Sequence, residues 1–330
     1  MSQYAIGLDL GGTNIKAALV ERTTGLVYAE RIATGADRGS AHVLGQIQAA
    51  AERILQAAGD KPVMGIGIGG PGTIDWDRTS LIFPPNIPGW EVVNLRDALR
   101  QRLGRDLHVV VENDANAAAL GSAFYGAGLP YDSFLMVTLG TGVGGAIIYR
   151  NAIFRGSTGA AGEIGHMTIA YDGPPDEAGV PGAIEAYLGQ HFLSAHARSK
   201  LLQYPNSLLH RTAGPNLQDL TPEMLSSTAL QGDEGAEAVL AWAGHKLGCI
   251  LGSCVNLLDI RTIIVGGGVS GAGRLILEPA RQTIRQYIKP GMRSDVIILQ
   301  ETLGNKAGML GAAYLVFEFL DEHGSTFEGM

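Results

Sequence analysis

Two apolar runs joined by a glycine-rich bend near the start of the chain limit most strongly what this protein can fold into. Residues 6–10 lead into Gly11-Gly12-Thr13, and a second apolar run follows at residues 17–20. This pattern predicts a β-hairpin with two glycines at its bend. Because glycine has no Cβ, its backbone N–H groups can approach an anion closely. The stretch is therefore either a phosphate-binding hairpin or a plain surface hairpin.

An acidic residue beside this bend favours phosphate binding. Asp9 comes just before the glycines. A carboxylate next to a bound phosphate is unfavourable unless a cation lies between them, and Mg²⁺ is the cation that suits such oxygen ligands. The alternative is an acidic residue with no role beyond solvation.

The same order of strand, bend and strand returns later in the chain. Residues 138–149 hold a second Gly/Thr-rich bend, and a third glycine cluster at 266–271 follows the apolar run at 262–265. Two matching hairpins, each opening one half of the chain, suggest an internal duplication.

Asn113 and Asp114 stand between a predicted strand at 107–111 and a predicted helix at about 115–126. Asparagine and aspartate are common helix N-caps, so capping is the plainer interpretation. The carboxyl ends of strands also line the ligand crevice of open α/β sheets. There Asp114 can accept the proton of a hydroxyl that attacks a phosphate, while Asn113 orients a neighbouring hydroxyl.

The composition excludes several classes of protein. The 330-residue chain has a formal charge of −8, which favours neither nucleic acid nor an acidic membrane surface. Cys249 and Cys254 cannot form a disulfide framework, which is typical of a reducing cytosol. They are either buried thiols or a redox pair. Because the residues after Met1 lead directly into a predicted strand, we expect no signal peptide. We expect the apolar helix at about 237–258 to be a core or interface helix. We expect a cytoplasmic protein.

Together these motifs resemble one known family. The two hairpins, the Gly266-Gly267-Gly268 loop, residues 112–117 (Glu-Asn-Asp-Ala-Asn-Ala) and residues 162–166 (Gly-Glu-Ile-Gly-His) are similar to those of the glucokinase-like ROK family (repressor, open reading frame, kinase). The resemblance runs from about residue 4 to about residue 318. It implies an α/β, two-domain actin-like ATPase (ribonuclease H-like) fold with a central cleft. The smaller N-terminal α/β domain would be 1–113 plus about 306–330, and the larger C-terminal α/β domain 114–305.

The resemblance also implies a function. This is ATP-dependent phosphorylation of a hexose, glucose to glucose 6-phosphate, with ATP and Mg²⁺ as cofactors and Asp114 as general base. We also expect a homodimer, since the apolar helix at 237–258 is compatible with a dimer interface, and equally with a buried core helix. The implied sugar-binding residues are Gly70, Asn86, Asn113, Asp114, Glu163, His166 and Glu185. The implied nucleotide-binding residues are Asp9, Gly11, Gly12, Thr13, Asn14, Lys16, Thr141, Gly142, Gly267 and Gly268, with Asp9 also holding Mg²⁺ through water.

One segment departs from the family pattern. Many members carry Cys-Gly-Cys-Gly-x-x-Gly-Cys-x-Glu, whose three cysteines bind structural zinc together with the motif histidine. Here those three positions hold Asp176, Ala178 and Ala183. One carboxylate and one imidazole fall short of four ligands, so no zinc site is expected. We hypothesise that Asp176 instead accepts a hydrogen bond from one ring nitrogen of His166 and leaves the other to the sugar. A purely structural pair of Glu163 and His166 is the plainer alternative.

Several other functions fit parts of the pattern. Kinases for N-acetylmannosamine, N-acetylglucosamine, fructose or allose share the same polar residues, and ADP or polyphosphate can replace ATP as donor. A sugar-sensing ROK-type regulator without a DNA-binding domain is the alternative from another class; a repressor would carry an N-terminal helix-turn-helix, whereas this chain begins at the hairpin. Three Gly-x-Gly-x-x-Gly windows are also compatible with a nicotinamide-dependent enzyme. A dinucleotide-binding motif should open a helix, however, and the first two windows do not. A filament or chaperone ATPase would lack the polar residues.

Overall fold

A computed structural model describes residues 2–323. In that range the strands are β1 (Tyr4–Leu10), β2 (Asn14–Glu21), β3 (Gly25–Ala33), β4 (Val63–Gly70), β5 (Thr73–Ile74), β6 (Ser80–Ile82), β7 (Val92–Asn94), β8 (His108–Asn113), β9 (Phe134–Leu139), β10 (Val143–Tyr149), β11 (Ala152–Ile153), β12 (Thr262–Gly266) and β13 (Ile297–Gln300). The helices are α1 (Ser40–Ala58), α2 (Leu95–Leu103), α3 (Asp114–Tyr125), α4 (Glu185–Leu188), α5 (Gln190–Leu201), α6 (Leu209–Thr212), α7 (Pro222–Ala229), α8 (Glu234–Leu258), α9 (Arg274–Tyr287) and α10 (Ala307–His323).

The two large sheets share one plan. The first has the strand order β3-β2-β1-β4-β8, and the second has the order β11-β10-β9-β12-β13. In the first, β1 pairs antiparallel with β2 and parallel with β4, which is parallel to β8. In the second, β12 is parallel to both β9 and β13. The matching order agrees with the duplication that the two hairpins suggest. A third, small sheet has the order β5-β6-β7.

The chain forms two compact units. The first contains the chain up to Asp132, then Ile148–Ala161, and the chain from Asn305 onward; the second contains Ser133–Ile147 and Gly162–Gly304. The larger predicted domain starts at residue 114, whereas helix α3 lies in the first unit of the structure.

Glycines explain why α3 belongs to the first unit. Helix α10 lies against β1 and β4, where a Cβ on Gly67 would overlap the carbonyl oxygen of Ala312. Helix α3 packs on the same helix through Gly121 and Gly311, and a Cβ on either would overlap backbone atoms of the opposite helix. These backbone contacts are available only to glycine, and they join the two helices to one sheet.

The long apolar helix α8 is a core helix of the second unit. By length and hydropathy it is the one helix among the described residues that is suited to cross a membrane. Most of its membrane-length window is buried, and it packs against α5, α7 and α9. The contact with α9 is close because Gly244 and Gly248 face the carbonyl oxygens of Ile276 and Ala280.

The sequence also predicts a helix at about 188–202, a surface connection at 203–220 and a loose tail at 321–330. The structure differs in detail from each of these predictions. The helix predicted at 188–202 is two helices, α4 and α5, separated at Gly189. The connection predicted at 203–220 contains α6 and a 3-10 turn at Pro215–Leu217. The predicted loose tail 321–330 begins inside α10, which continues to His323, and its remainder lies outside the described residues.

Candidate active site

Three parallel strand ends bring the first group of predicted site residues together. Strands β1, β4 and β8 are neighbours, so their carboxyl ends share one edge of the first sheet. In their register Asp9 lies opposite Gly69, and Gly70 lies opposite Asn113. Asp114 is the next residue. This edge is where ligands bind in open α/β sheets.

Asn113 caps helix α3. Its side-chain Oδ1 accepts hydrogen bonds from the backbone N–H groups of Ala115 at 2.9 Å and Asn116 at 3.3 Å, and its Nδ2 donates to the carbonyl of Gly72 at 3.3 Å. The capping interpretation therefore holds. It places the exposed Asp114 at the first position of the helix, where its Oδ1 also accepts from Ala115 N–H at 2.8 Å.

A buried carboxylate lies directly behind this pair. Glu112 has no exposed side-chain surface, and its Oε2 lies 3.1 Å from Nε of Arg78 and 3.1 Å from Nε of Arg155. These two contacts are charge pairs without hydrogen-bond alignment. Its Oε1 accepts hydrogen bonds from Asn113 N–H at 2.9 Å and from Asn116 Nδ2 at 3.1 Å. Glu112 thus fixes the end of β8 from which Asn113 and Asp114 project.

The two arginines extend this buried cluster into neighbouring loops. Arg155 donates to the carbonyls of Trp76 at 2.8 Å and Asp75 at 2.9 Å. Arg78 also pairs with Glu318 of α10 at 2.8 Å. Burial alone would lower the pKa of Arg78, but the carboxylates of Glu112 and Glu318 outweigh it and raise that pKa. The guanidinium is therefore charged.

One feature of the sequence points to this cluster, although none of its three residues is among the predicted site residues. Glu112 is an acidic residue at the end of a buried apolar strand, where an unpaired charge is too costly to tolerate. Nothing in the sequence points to Arg78 or Arg155 as its partners, because both come from distant loops.

The first glycine bend has the predicted hairpin geometry. Gly11 N–H donates to the carbonyl of Asn14 at 3.0 Å. Thr34 makes two more hydrogen bonds to the bend: its backbone N–H donates to the carbonyl of Thr13 at 2.9 Å, and its hydroxyl donates to the carbonyl of Gly11 at 2.6 Å. Thr13 is exposed at the tip. A Cβ on Gly12 would come within 3.3 Å of the Asn86 Cβ, so the loop that contains Asn86 lies beside this bend.

Asp9 and Lys16 face each other across the hairpin. Lys16 Nζ lies 2.8 Å from Asp9 Oδ2, and 18% of the Asp9 side chain is exposed. The first helical turn of α10 closes on the same carboxylate: a Cβ on Gly308 would lie 2.9 Å from Asp9 Cγ. Glycine at that position leaves open space next to the carboxylate.

A carboxylate from another segment lies against the second glycine bend, at residues 140–142. Glu185, the first residue of α4, accepts a hydrogen bond from Val143 N–H through Oε2 at 2.9 Å. A Cβ on Gly142 would overlap that oxygen. Gln190 N–H binds the carbonyl of Thr141 at 3.0 Å, so the start of α5 is joined to the bend as well.

The predicted histidine lies near Glu185. His166 ends a 3-10 turn, Ile164–His166, which follows the exposed Glu163. Its Nδ1 is 2.6 Å from Asp176 Oδ2, and one ligand-type atom each of His166, Asp176 and Glu185 lies within 4.8 Å of the others. The hypothesised contact between Asp176 and His166 is therefore present.

This contact shifts the pKa of both side chains in opposite directions. Burial alone would lower the pKa of His166, but the hydrogen bond and charge of Asp176, together with Glu185 and Glu163, raise it. Burial alone would raise the pKa of Asp176, but the hydrogen bonds from His166 and Val180 lower it. Asp176 is thus an ionised acceptor.

The third glycine loop lies at the same edge of the second sheet as the second bend. Gly266 is in register with Thr138, so Gly267 and Gly268 follow β12 where the bend at Thr141 follows β9. Gly267 has a φ of 85°, and a Cβ there would overlap the carbonyl oxygen of Leu139. Only glycine permits this packing.

Each unit therefore has a five-stranded sheet of the same order, with a glycine bend and polar side chains at one edge of the strands. This arrangement defines a two-domain ATPase of the actin-like superfamily. The model of the ROK family matches residues 5–318. The chain belongs to the ROK family.

Similar proteins within the family include glucokinases and a xylose repressor. The glucokinase of Thermotoga maritima is 32% identical over 314 residues, which are 95% of this chain and 97% of that protein. The crystal structure of a ROK family glucokinase from Streptomyces griseus in complex with glucose and AMPPNP is 35% identical with a TM-score of 0.82, over 96% of this chain and 99% of that chain. The xylose repressor of Caldicellulosiruptor bescii is 27% identical over 94% of this chain and 77% of its own length. The protein is a sugar kinase.

Proposed function

We propose that this kinase transfers the γ-phosphoryl group of ATP to glucose, giving glucose 6-phosphate, with Asp114 as general base. The observation that carries the proposal is the edge formed by β1, β4 and β8. There Asp114 follows Asn113, which ends β8 and caps α3, and it lies beside Asp9 and Gly70. The likeness to two glucokinases over nearly the whole chain supports glucose as the acceptor.

The proposed step needs one proton acceptor. The acceptor hydroxyl oxygen forms a bond to the γ-phosphorus while the bond from that phosphorus to the β–γ bridging oxygen breaks, and ADP leaves. The hydroxyl proton passes to a carboxylate oxygen of Asp114. Asn113 holds the first turn of α3 in place, and Glu112 holds the backbone of Asn113, so the base is fixed from two sides.

The residues around Asp9 fit a magnesium ion. The carboxylate supplies oxygen, the donor type that Mg²⁺ prefers, and Gly308 leaves space beside it. When bound, the ion would neutralise charge on the β- and γ-phosphates. Lys16, 2.8 Å from Asp9, adds a second positive charge to this part of the site. The bend at Gly11, Gly12, Thr13 and Asn14 would supply backbone N–H groups to the phosphates.

Each unit holds some of the residues that the proposal assigns to ligands. In the first unit, Gly70, Asn86, Asn113 and Asp114 are assigned to the sugar. In the second unit, Glu163, His166 and Glu185 are assigned to the sugar, and Thr141, Gly142, Gly267 and Gly268 to the nucleotide. The second set lies at one edge of its sheet, and Glu185 and His166 lie close together, which supports this assignment.

We also propose that the enzyme is a cytoplasmic homodimer that needs no structural zinc. Cys249 and Cys254 are free thiols, which suits a reducing compartment. Size-exclusion chromatography with light scattering tests the dimer, and metal analysis of the purified protein tests for zinc.

A coupled ADP-release assay tests the proposed function. The panel contains glucose, N-acetylmannosamine, N-acetylglucosamine, fructose and allose, each with ATP and Mg²⁺, and then glucose with ADP or polyphosphate as donor. We expect the highest kcat/KM with glucose and ATP. Turnover of another sugar without turnover of glucose would show that the other sugar is the acceptor, and the assignment as a sugar kinase would stand.

The likeness to a xylose repressor supports a second candidate, a sugar-sensing regulator. The same panel separates the two. A regulator would bind sugar, seen by calorimetry, without releasing ADP in the presence of any sugar of the panel.

A further inference from the structure

The segment between His166 and Glu185 folds back on itself. Thr168 pairs with Ala183 in an antiparallel bridge, and Ile184 N–H donates to the carbonyl of Met167 at 3.0 Å. His166 and Glu185 flank this pairing, so both side chains lie at the same end of it. Gly182 makes the fold possible: its φ is 62°, and a Cβ there would overlap the carbonyl of Ala170.

Asp176 closes the loop in the middle of this segment. Its side chain has no exposed surface, and its Oδ1 accepts a hydrogen bond from Val180 N–H at 2.8 Å. Backbone bonds from Gly179 to the carbonyl of Asp176 at 3.0 Å and from Gly182 to the carbonyl of Pro174 at 2.8 Å complete the turn. One carboxylate oxygen is thus used inside its own loop.

The other oxygen leaves the loop and holds the histidine. Asp176 Oδ2 lies 2.6 Å from His166 Nδ1, while 40% of the His166 side chain is exposed. An ionised carboxylate can only accept hydrogen bonds, so Nδ1 carries a proton. In the neutral imidazole Nε2 is then an acceptor, and this atom is the one left for a ligand. The charged groups that act on the ring are Asp176, Glu185 and Glu163.

We propose that Asp176 is a positioning residue for sugar binding: it fixes the orientation and tautomer of His166, so that Nε2 is presented to a sugar hydroxyl next to Glu185. This inference rests on the proposed function, because it needs a sugar at His166. It assigns one side chain two tasks, closing the loop through Oδ1 and orienting the histidine through Oδ2.

Two variants separate this role from a simple charge effect. Asp176→Asn keeps the size of the side chain but has one acceptor oxygen for two donors, His166 Nδ1–H and Val180 N–H. We expect the KM for the sugar to rise about tenfold, the order expected when a charged hydrogen bond to a ligand-binding side chain is lost. The KM for ATP and kcat should change less than about threefold. Glu177→Gln removes the same charge from the exposed neighbouring position and should leave all three constants unchanged.

A double-mutant cycle tests whether the effect passes through the histidine. In a His166→Ala background, Asp176→Asn should have no further effect on the KM for the sugar, because the positioned group is already gone. If the full tenfold rise persists in that background, Asp176 acts only by folding its loop, and the proposal is wrong.

Nitrogen-15 NMR of His166 tests the geometry without any sugar turnover. In the unmodified protein Nδ1 should carry the proton and Nε2 should be the unprotonated nitrogen at high pH, and the ring should titrate above the ordinary value of about 6.5. In Asp176→Asn the titration should move to lower pH, since an attracting charge is lost. A ring protonated at Nε2, or an unmoved titration, contradicts the proposal.

The two proposals fail in different ways. If no sugar is phosphorylated but the NMR result holds, the proposed function fails and the pairing of Asp176 with His166 stands. Stoichiometric metal in the purified protein, removed by chelation with the same rise in the KM for the sugar, would instead make His166, Asp176 and Glu185 metal ligands and overturn the positioning role.

Discussion

Asp114 owes its position to the residue before it. Asn113 ends β8 and caps α3, so the carboxylate of Asp114 starts a helix at a strand end rather than lying in a mobile loop. Capping and catalysis were alternatives in the sequence, but in this geometry the cap is what a precisely placed base requires. The buried Glu112 adds a second restraint on the same backbone.

Replacement of the proposed base should affect turnover rather than binding. We expect Asp114→Asn to lower kcat by roughly 10²- to 10⁴-fold, the usual contribution of a general base, and to change the KM for the sugar only a few-fold. Steady-state kinetics with the preferred sugar measures both.

The matched control is Asp97→Asn. Asp97 is also an exposed carboxylate in the first turn of an Asn-capped helix, α2, but this helix follows β7 and not one of the three strands β1, β4 and β8. It should keep wild-type kinetics. Turnover near wild type in Asp114→Asn, with Asp97→Asn equally active, would show that another group takes the proton.

At the scale of elements, glycines determine how closely helices approach each other and the sheet. Helix α10 contacts β1 and β4 through backbone atoms over Gly7 and Gly67, and it meets α3 at Gly121 and Gly311. Its first turn reaches Asp9 at Gly308, so the packing of this helix also shapes the candidate magnesium site.

A methyl group at this contact should destabilise the first unit. In Gly311→Ala the new Cβ would overlap the carbonyl oxygen of Ala117, and we expect a loss of about 1–3 kcal/mol, as for other overpacked positions. Gly45 in α1 has nothing within 4 Å of its Cβ position, so Gly45→Ala should instead stabilise by about 0.5–1 kcal/mol. Chemical denaturation of both variants measures the two effects. Equal midpoints for the two variants would contradict the close packing of α3 on α10.

At the scale of the whole molecule, the net charge of −8 opposes an anionic nucleotide. The proposed nucleotide binding therefore relies on local groups, which are the backbone N–H groups at the glycine bends, Lys16 and the proposed magnesium ion. The same sheet plan occurs twice, so each half of the chain can offer one such bend.

Sugar binding should be visible as a change in global stability. A ligand that binds only the folded protein stabilises it by about 2.7 kcal/mol at a hundred times its Kd, so D-glucose should raise Tm. Asp114→Asn should keep the shift, because the base acts in the chemical step. L-glucose has the same composition and osmotic effect and should give no shift. Equal shifts with both enantiomers would reveal a solvent effect and no specific site. Differential scanning calorimetry is the measurement.

Local patterns in the sequence were sufficient to predict several parts of this protein. Apolar runs broken by glycines predicted the two hairpins, and the residues at 112–117 and 162–166 indicated the ROK family, which the family match confirms. The predicted base, phosphate bends and magnesium residue follow short motifs of this kind, and their roles stay predictions.

Contacts between segments that are distant in the chain could not be predicted from such patterns and are known only from the three-dimensional structure. The partners of Glu112 come from Arg78 and Arg155, and no local pattern relates those three positions. Helix α3 belongs to the first unit because glycines in α3 and α10, far apart in sequence, allow their backbones to touch. The contact of Asp176 with His166 was hypothesised from a missing zinc site, but its 2.6 Å geometry depends on the backbone pairing that folds residues 167–184. Periodicity and propensity act over a few residues, whereas burial and charge pairing are settled by whatever the fold brings together.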